Sequence, residues 1–431
     1  MLASQCLAQR PVCIFLCLCA SLFCLVCLPR TRPRIAPYLT RRTHLNPPPP
    51  SPAPPVADDK PKISIADYAL VVFYVAIWYV GNILYIKYND EAKVAFAVPT
   101  YHCPAGKKCK SDKDLVRGKD DVSAWAMSVA TAQLFVGVLY AAYLWLAPDT
   151  RKMPKVAVAD LLKMTPTGAC SALAHASSVF ALSVGGIAFG SIVKAAEPVF
   201  SAVVSTFVYK KPPSVAKFLC FIPIVGGIAI ASLKFKDNFS FGNLDTVTPV
   251  IDKDFFSVPG LLFACAANVF AAFKGTEGSK VKNDKELQSK LQGEANSFAV
   301  FGIISLLVSI PLMIFKEVSN PGGFGALWEI IKTKPNAARS LLLSGFTFYV
   351  YNECAFMTQK SASNPAGMDP VLNSVANTAK RVVVIYYGAL LNGKVLTTAQ
   401  IVGCSVCIVG VFLYSVIDDV VKSFGAKAKT A

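Results

Sequence analysis

Ten runs of about 20 mostly apolar residues recur along this chain, starting near residues 67, 123, 158, 186, 215, 256, 296, 338, 370 and 398. A hydrocarbon core of about 30 Å takes about 20 such residues per helix. Because lipid offers no hydrogen bonds, every backbone N–H and C=O inside it must be paired, and runs of this length do so as helices. The expected fold class is an all-α polytopic membrane protein with ten transmembrane helices. Composition agrees, with 54% of the 431 residues hydrophobic and only 16% charged, unlike an ordinary soluble domain. The third and fourth runs are almost continuous and need a tight turn at Gly185 and Gly186.

The formal charge of +17 raises nucleic acid as a partner, but no soluble basic patch with interleaved aromatics occurs. Loop lysines facing water and lipid headgroups account for most of the excess, and they occur in loops on both sides of the spans. Six of the fourteen cysteines precede residue 30. Cys170, Cys220, Cys265, Cys354, Cys404 and Cys407 fall within spans, where a thiol is a small hydrophobe. Cys103 and Cys109 lie in a long polar loop, as a disulfide, half of a metal site or a free pair.

Sliding the chain by 183 positions lays 194–232 over 377–415, so that Lys211 meets Lys394, Gly227 meets Gly410 and Ser232 meets Ser415. This pairs spans four and five with spans nine and ten and divides the chain into two five-span halves. An odd number of spans inverts the second half relative to the first, which makes the expected architecture two inverted five-helix repeats, with the site between them near the midplane. The expected divisions are a leader over 1–60, repeats over 61–235 and 236–420, and a basic tail over 421–431.

Cations stand where such a site would be. Lys380 and Arg381 sit side by side in the otherwise uncharged run from Pro370 to Leu391, and Lys194 lies inside the run from Gly186 to Tyr209. A charge at membrane depth costs roughly 2.5–3.5 kcal/mol on insertion scales and tends to face a cavity on a substrate path. Glu197 is placed to compensate Lys194 in part, whereas the second span offers Lys380 and Arg381 no carboxylate. An uncompensated cation pair calls for an anion. Arginine presents a planar fork to two phosphate oxygens and lysine a movable point charge, a combination suited to a phosphate dianion. For Lys194 the other reading is a helix-end lysine reaching for the interface. Pro198, directly after Glu197, should kink span four and free backbone groups beside the site. His175 is the only histidine in any span, either a contact to the ligand or a satisfied core residue. No GxSxG, HExxH, P-loop or cysteine–histidine metal spacing is present, so an enzyme is not expected and no cofactor or metal is called for.

Several of these segments resemble the plastid phosphate translocators of the drug/metabolite transporter superfamily. Trp78-Tyr79-Val80-Gly81-Asn82 looks like the family's WYxxN, Lys194-Ala195-Ala196-Glu197-Pro198 is similar to KAMEP, and Tyr351-Asn352-Glu353 resembles YNQ. Val375-Ala376-Asn377 with Lys380-Arg381-Val382 resembles VGNxxKRV. The resemblance covers about 67–418 and implies a phosphate site of Lys194, Lys380 and Arg381. It further implies that His175, Ser178 (where the family has threonine), Tyr351 and Lys274 (where the family has arginine) contact the substrate. An apparent insertion around Ser363 to Asp369 departs from the pattern.

Residues 12–28 are a short apolar core after Arg10, and 29–57 are rich in arginine and proline and free of acid. This looks like a signal peptide followed by a transit region, the two-part address of algae with secondary plastids; the other reading is a signal anchor with a proline-rich linker. Together these readings imply a phosphate/triose-phosphate or 3-phosphoglycerate antiporter of a plastid envelope, acting as a monomer or homodimer in lipid. The alternatives are a carrier of phosphoenolpyruvate, pentose or hexose phosphate, a nucleotide-sugar transporter, and a non-transporting phosphate receptor.

Overall fold

The computed structural model describes residues 65–99, 101–102, 116–117, 121–148, 150–210, 212–235, 249–251, 256–318, 323–359, 367–368, 370–391 and 396–430. The leader expected over 1–60, Cys103 and Cys109, Lys211 and Lys394 of the repeat comparison, and most of the insertion near 363–369 lie outside the described residues.

The chain is built from helices: α1 (Ile65–Ala95), α2 (Ala126–Leu146), α3 (Val158–Val184), α4 (Ile187–Ala195), α5 (Glu197–Phe207), α6 (Val215–Leu219), α7 (Phe221–Ala231), α8 (Val258–Asn283), α9 (Lys285–Leu291), α10 (Glu294–Val318), α11 (Gly323–Thr333), α12 (Pro335–Met357), α13 (Pro370–Leu391) and α14 (Thr398–Thr430). Two short antiparallel ribbons lie in the connections, β1 (Tyr101–His102) with β2 (Val116–Arg117) and β3 (Leu233–Phe235) with β4 (Pro249–Ile251). Helix starts follow local chemistry. The Ser257 hydroxyl accepts from the Gly260 N–H at 3.1 Å to open α8, and the Asp284 carboxylate accepts from the Leu287 N–H at 3.1 Å to open α9, each satisfying an N–H that has no partner within its helix. Between α3 and α4 the chain turns at Gly186, whose φ of +75° is open to glycine at no steric cost.

Helices begin within about three residues of all ten expected span starts. Among the described residues six helices are long and apolar enough to cross a membrane, and a seventh span is possible if α4 and α5, bent by 40° at Ala196, act as one. That bend is where Pro198 is expected to break the span. The count stops short of ten for local reasons. Helices α6 and α7 together form only the short apolar segment Val215–Ala231, whereas α12 and α13 carry polar side chains that lower their apolar content. Helix α14 runs to Thr430, through the residues of the tail expected over 421–431.

Packing is selective. Helix α12 lies along α1 and touches α2; α3 lies along α8 and touches α10; α7 packs on α14, α2 on α10 and α4 on α13. The α7–α14 crossing depends on missing side chains: a Cβ on Gly227 would stand 2.4 Å from the Cys407 nitrogen, and one on Gly403 2.4 Å from the Ala231 nitrogen. Around the other contacts, Phe180 and Phe263 stack at 4.9 Å between α3 and α8, and Thr131 and Ser309 share a hydrogen bond of 2.7 Å between α2 and α10.

Candidate functional site

Seven helices (α1, α3, α4, α5, α8, α12 and α13) line one cavity of about 340 Å³, at the small end of the roughly 300–1,000 Å³ typical of small-molecule sites. All seven residues singled out in the sequence, His175, Ser178, Lys194, Lys274, Tyr351, Lys380 and Arg381, line it.

The break between α4 and α5 determines how Lys194 and Glu197 are presented. Pro198 has no N–H to return to Lys194, so the helix stops at Ala195 and restarts at Glu197. Lys194 thus occupies the last turn of one half-helix and Glu197 the first turn of the next, each charge opposing the partial charge of its own helix end. The amide of Asn268, buried on α8, donates to the Val193 carbonyl at 2.9 Å and satisfies one of the groups the break exposes. Lys194 is therefore a helix-end lysine, but the end lies inside the bundle.

Adjacent positions on a helix diverge by 100°, so Lys380 and Arg381 reach different neighbours. The Lys380 ammonium lies over the Trp78 ring, 4.9 Å from its centroid, a cation–π contact. The Arg381 Nη2 donates to the Glu197 carboxylate at 2.5 Å. This corrects the sequence reading on one point: Arg381 is not uncompensated, and Glu197 bonds it across the bundle rather than Lys194 in its own run. An ion pair between separate helices leaves no trace in the spacing of either. The cation cluster still outweighs it. Lys194, Lys274, Lys380 and Arg381 face a single carboxylate in the cavity lining, a formal excess of three positive charges when all four are protonated.

The opposite wall is aromatic and hydroxylic. His175 is buried against Phe348 with ring centroids 4.0 Å apart, and its Nε2 has no hydrogen-bond partner. Tyr351 is buried between Tyr85, at 5.6 Å, and Phe348, at 5.8 Å. Its backbone rests on Gly81, where an added Cβ would come within 2.8 Å of the Tyr351 Cβ. Ser178 donates its proton to the Ala174 carbonyl at 2.6 Å, which leaves its oxygen free to accept. Glu353, two residues after Tyr351, is not in the cavity lining and pairs with Arg151 at 2.7 Å.

Sequence reasoning missed the carboxamides. Asn82, Asn268, Asn352, Asn373 and Asn377 all line the cavity, and the Asn373 Oδ1 is buried without a partner. A helical-face reading would have found part of this set, since 373, 377, 380, 381 and 384 fall at i, i+4, i+7, i+8 and i+11 on α13. Among the described residues no group of three or more His, Cys, Asp or Glu side chains could hold a metal ion.

The geometry thus places a cation-rich cavity of about 340 Å³ inside a bundle of mostly apolar helices. A profile of the Triose-phosphate Transporter family matches residues 121–415. The chain belongs to the Triose-phosphate Transporter family. It is similar to the chloroplastic triose phosphate/phosphate translocator of Brassica oleracea var. botrytis, 27% identical over 307 residues that cover 70% of this chain and 67% of that one. It is also similar to phosphoenolpyruvate/phosphate translocator 3 of Oryza sativa subsp. japonica, 25% identical over 84% of this chain and 80% of that one. Glucose-6-phosphate/phosphate translocator 2 of Arabidopsis thaliana is 22% identical over 79% of this chain and 74% of the relative. Membership in the Triose-phosphate Transporter family accords with a multi-pass membrane protein, and the relatives named above are phosphate translocators.

Proposed function

We propose that this protein is an antiporter of a plastid envelope membrane that exchanges inorganic phosphate for a phosphorylated three-carbon compound, triose phosphate or 3-phosphoglycerate. The observation that carries the reading is the convergence of Lys194, Lys274, Lys380 and Arg381 on one cavity with one carboxylate among them. In this reading Lys194, Lys380 and Arg381 hold the phosphate. Tyr351, His175, Ser178 and Lys274 meet the carbon end. A cavity at the small end of the usual range supports a short ester. The names of the relatives support the phosphate exchange and the plastid.

Ten spans in two inverted five-helix repeats are part of the proposal. The packing supports it: exchanging the first half for the second carries the α1–α12 contact onto α8–α3 and the α2–α12 contact onto α10–α3, while α7–α14 and α2–α10 map onto themselves. Two halves related in this way can rock about a site between them.

Coupling follows from the charge. With no substrate, the cations repel one another, and closing the bundle over them costs several kcal/mol per unneutralised ion. A phosphate dianion cancels much of that charge and lets the halves pass through the closed state. An empty carrier then returns slowly, and flux becomes one-for-one exchange.

The test is phosphate uptake into liposomes holding purified residues 61–431, preloaded in turn with phosphate, dihydroxyacetone phosphate, 3-phosphoglycerate, phosphoenolpyruvate, glucose 6-phosphate or buffer. Fast uptake against the three-carbon loads and slow uptake against buffer are expected. Equal uptake with and without an internal load would overturn the coupling. Binding of phosphate with no flux under any load would make the protein a receptor.

A further inference from the structure

Among the described residues Glu197 is the only carboxylate in the lining of the central cavity, and its position is not that of a fully buried acid. Its side chain retains 35% of its exposure while the bonded Arg381 retains 13%, so the carboxylate is the more accessible member of the pair. A second cavity of about 180 Å³ lies on the far side of this pair, bounded by Pro198 and Ser201 of α5, Thr378 of α13, and Val411 and Tyr414 of α14. Glu197, Asn377 and Arg381 line both cavities. These three side chains form the partition between them, and Glu197 supplies its only negative charge.

We propose that Glu197 selects the charge of the substrate, a role that rests on the exchange reading above. Four cations and one carboxylate leave a formal excess of three. A dianionic ester, such as a triose phosphate, leaves one positive charge unmatched; a trianion carrying both a phosphate and a carboxylate matches all three. By holding the excess at three rather than four, Glu197 keeps dianions competitive with trianions in a closed cavity, where unmatched charge is costly. Its bond to Arg381 also leaves only part of the guanidinium fork for a ligand. Asn377, beside it in the partition, is a neutral position from which a carboxylate would act on the same space.

The experiment is a comparison of exchange rates in liposomes loaded with phosphate, at pH 8, above the second phosphate ionisation near 6. It reads the ratio of kcat/KM for external 3-phosphoglycerate to that for dihydroxyacetone phosphate. Glu197→Gln should raise this ratio by roughly tenfold, the effect of one unit charge acting across several ångströms in a medium of intermediate dielectric. Asn377→Asp should lower it by a similar factor, and the double variant Glu197→Gln/Asn377→Asp should return it towards the unmutated value. Glu197→Asp, which keeps the charge and shortens the reach, should stay within about twofold of the unmutated ratio. If Glu197→Gln fails to fold, Asn377→Asp alone decides the sign. A ratio that Glu197→Gln and Asn377→Asp leave flat, or a double variant that shifts it as far as Glu197→Gln does, would reduce Glu197 to a holder of Arg381 and overturn the proposal. Absence of exchange for every ester by the unmutated protein would instead overturn the exchange reading, and this inference with it.

Discussion

The two walls of the central cavity are made by different means. On one side Lys194, Glu197, Lys380 and Arg381 stand on helices that are interrupted or poor in apolar residues, and their positions depend on a helix break, an ion pair across the bundle and a lysine over an indole. On the other side His175, Tyr351, Tyr85 and Phe348 are fixed by ring packing between the long helices α1, α3 and α12. The charged wall is costly to assemble in lipid and has to be repaid by an anion or by Glu197. The aromatic wall is held by its own burial. In the proposed function the first wall grips the phosphate and the second distinguishes what the phosphate is attached to.

Removing charge from the first wall should have the largest effect. Arg381→Ala is expected to lower phosphate exchange by about one to two orders of magnitude in liposomes, because it removes a charge-assisted contact to the phosphate worth about 1.5–3 kcal/mol. Exchange within tenfold of the unmutated rate would refute the central role of that wall. Lys380→Ala should follow, with a rise in the phosphate KM of about tenfold or more, since it removes a charge-assisted contact worth about 1.5–3 kcal/mol. Lys380→Arg would sharpen the point: restored charge with altered shape should recover part of the loss.

A smaller and differently directed effect is expected from the second wall. Tyr351→Phe removes one hydroxyl, worth about 0.5–1.5 kcal/mol, and should slow exchange against three-carbon esters about two- to tenfold while slowing phosphate-for-phosphate exchange less. Equal slowing of both would erase the division between the walls. The smallest effect on flux, with a clear effect on stability, is expected from Asn268→Leu. It removes the side-chain hydrogen bond to the Val193 carbonyl, which keeps its bond from the Ala196 N–H at 3.0 Å, and should destabilise the fold by about 0.5–1.5 kcal/mol, read as a lower melting temperature in detergent. An unshifted melting temperature would mean that the break holds without its brace.

Much of the helical layout was legible before any coordinates. Apolar runs, the Gly185-Gly186 turn and the Pro198 break are local features, and the observed helices begin close to where those features predict. The seven candidate residues were legible for a second reason: charge, imidazole and phenol stand out in lipid-compatible sequence because burying them there needs a cause. Less visible were the carboxamides. Asn82 and Asn377 stand inside motif segments that assign them no role, Asn373 stands outside any, and their shared lining of one cavity is what groups them. Trp78 was quoted as part of a motif, yet its seat beneath Lys380 involves α1 and α13, some 300 residues apart in sequence.

What the sequence determined by itself is where the helices begin, the presence of cations inside apolar runs and the surplus of positive charge, because these depend on residue type and local spacing. The tertiary structure alone decided which cation has a counter-ion. Glu197 lies three residues from Lys194 and 184 from Arg381, yet it bonds Arg381. The break at Ala196 puts Glu197 at the start of α5 rather than in the turn that carries Lys194, and the packing of α13 on α4 brings the guanidinium to it. Sequence distance carries no information about that choice, since an ion pair depends on separation in space and on the burial of its members.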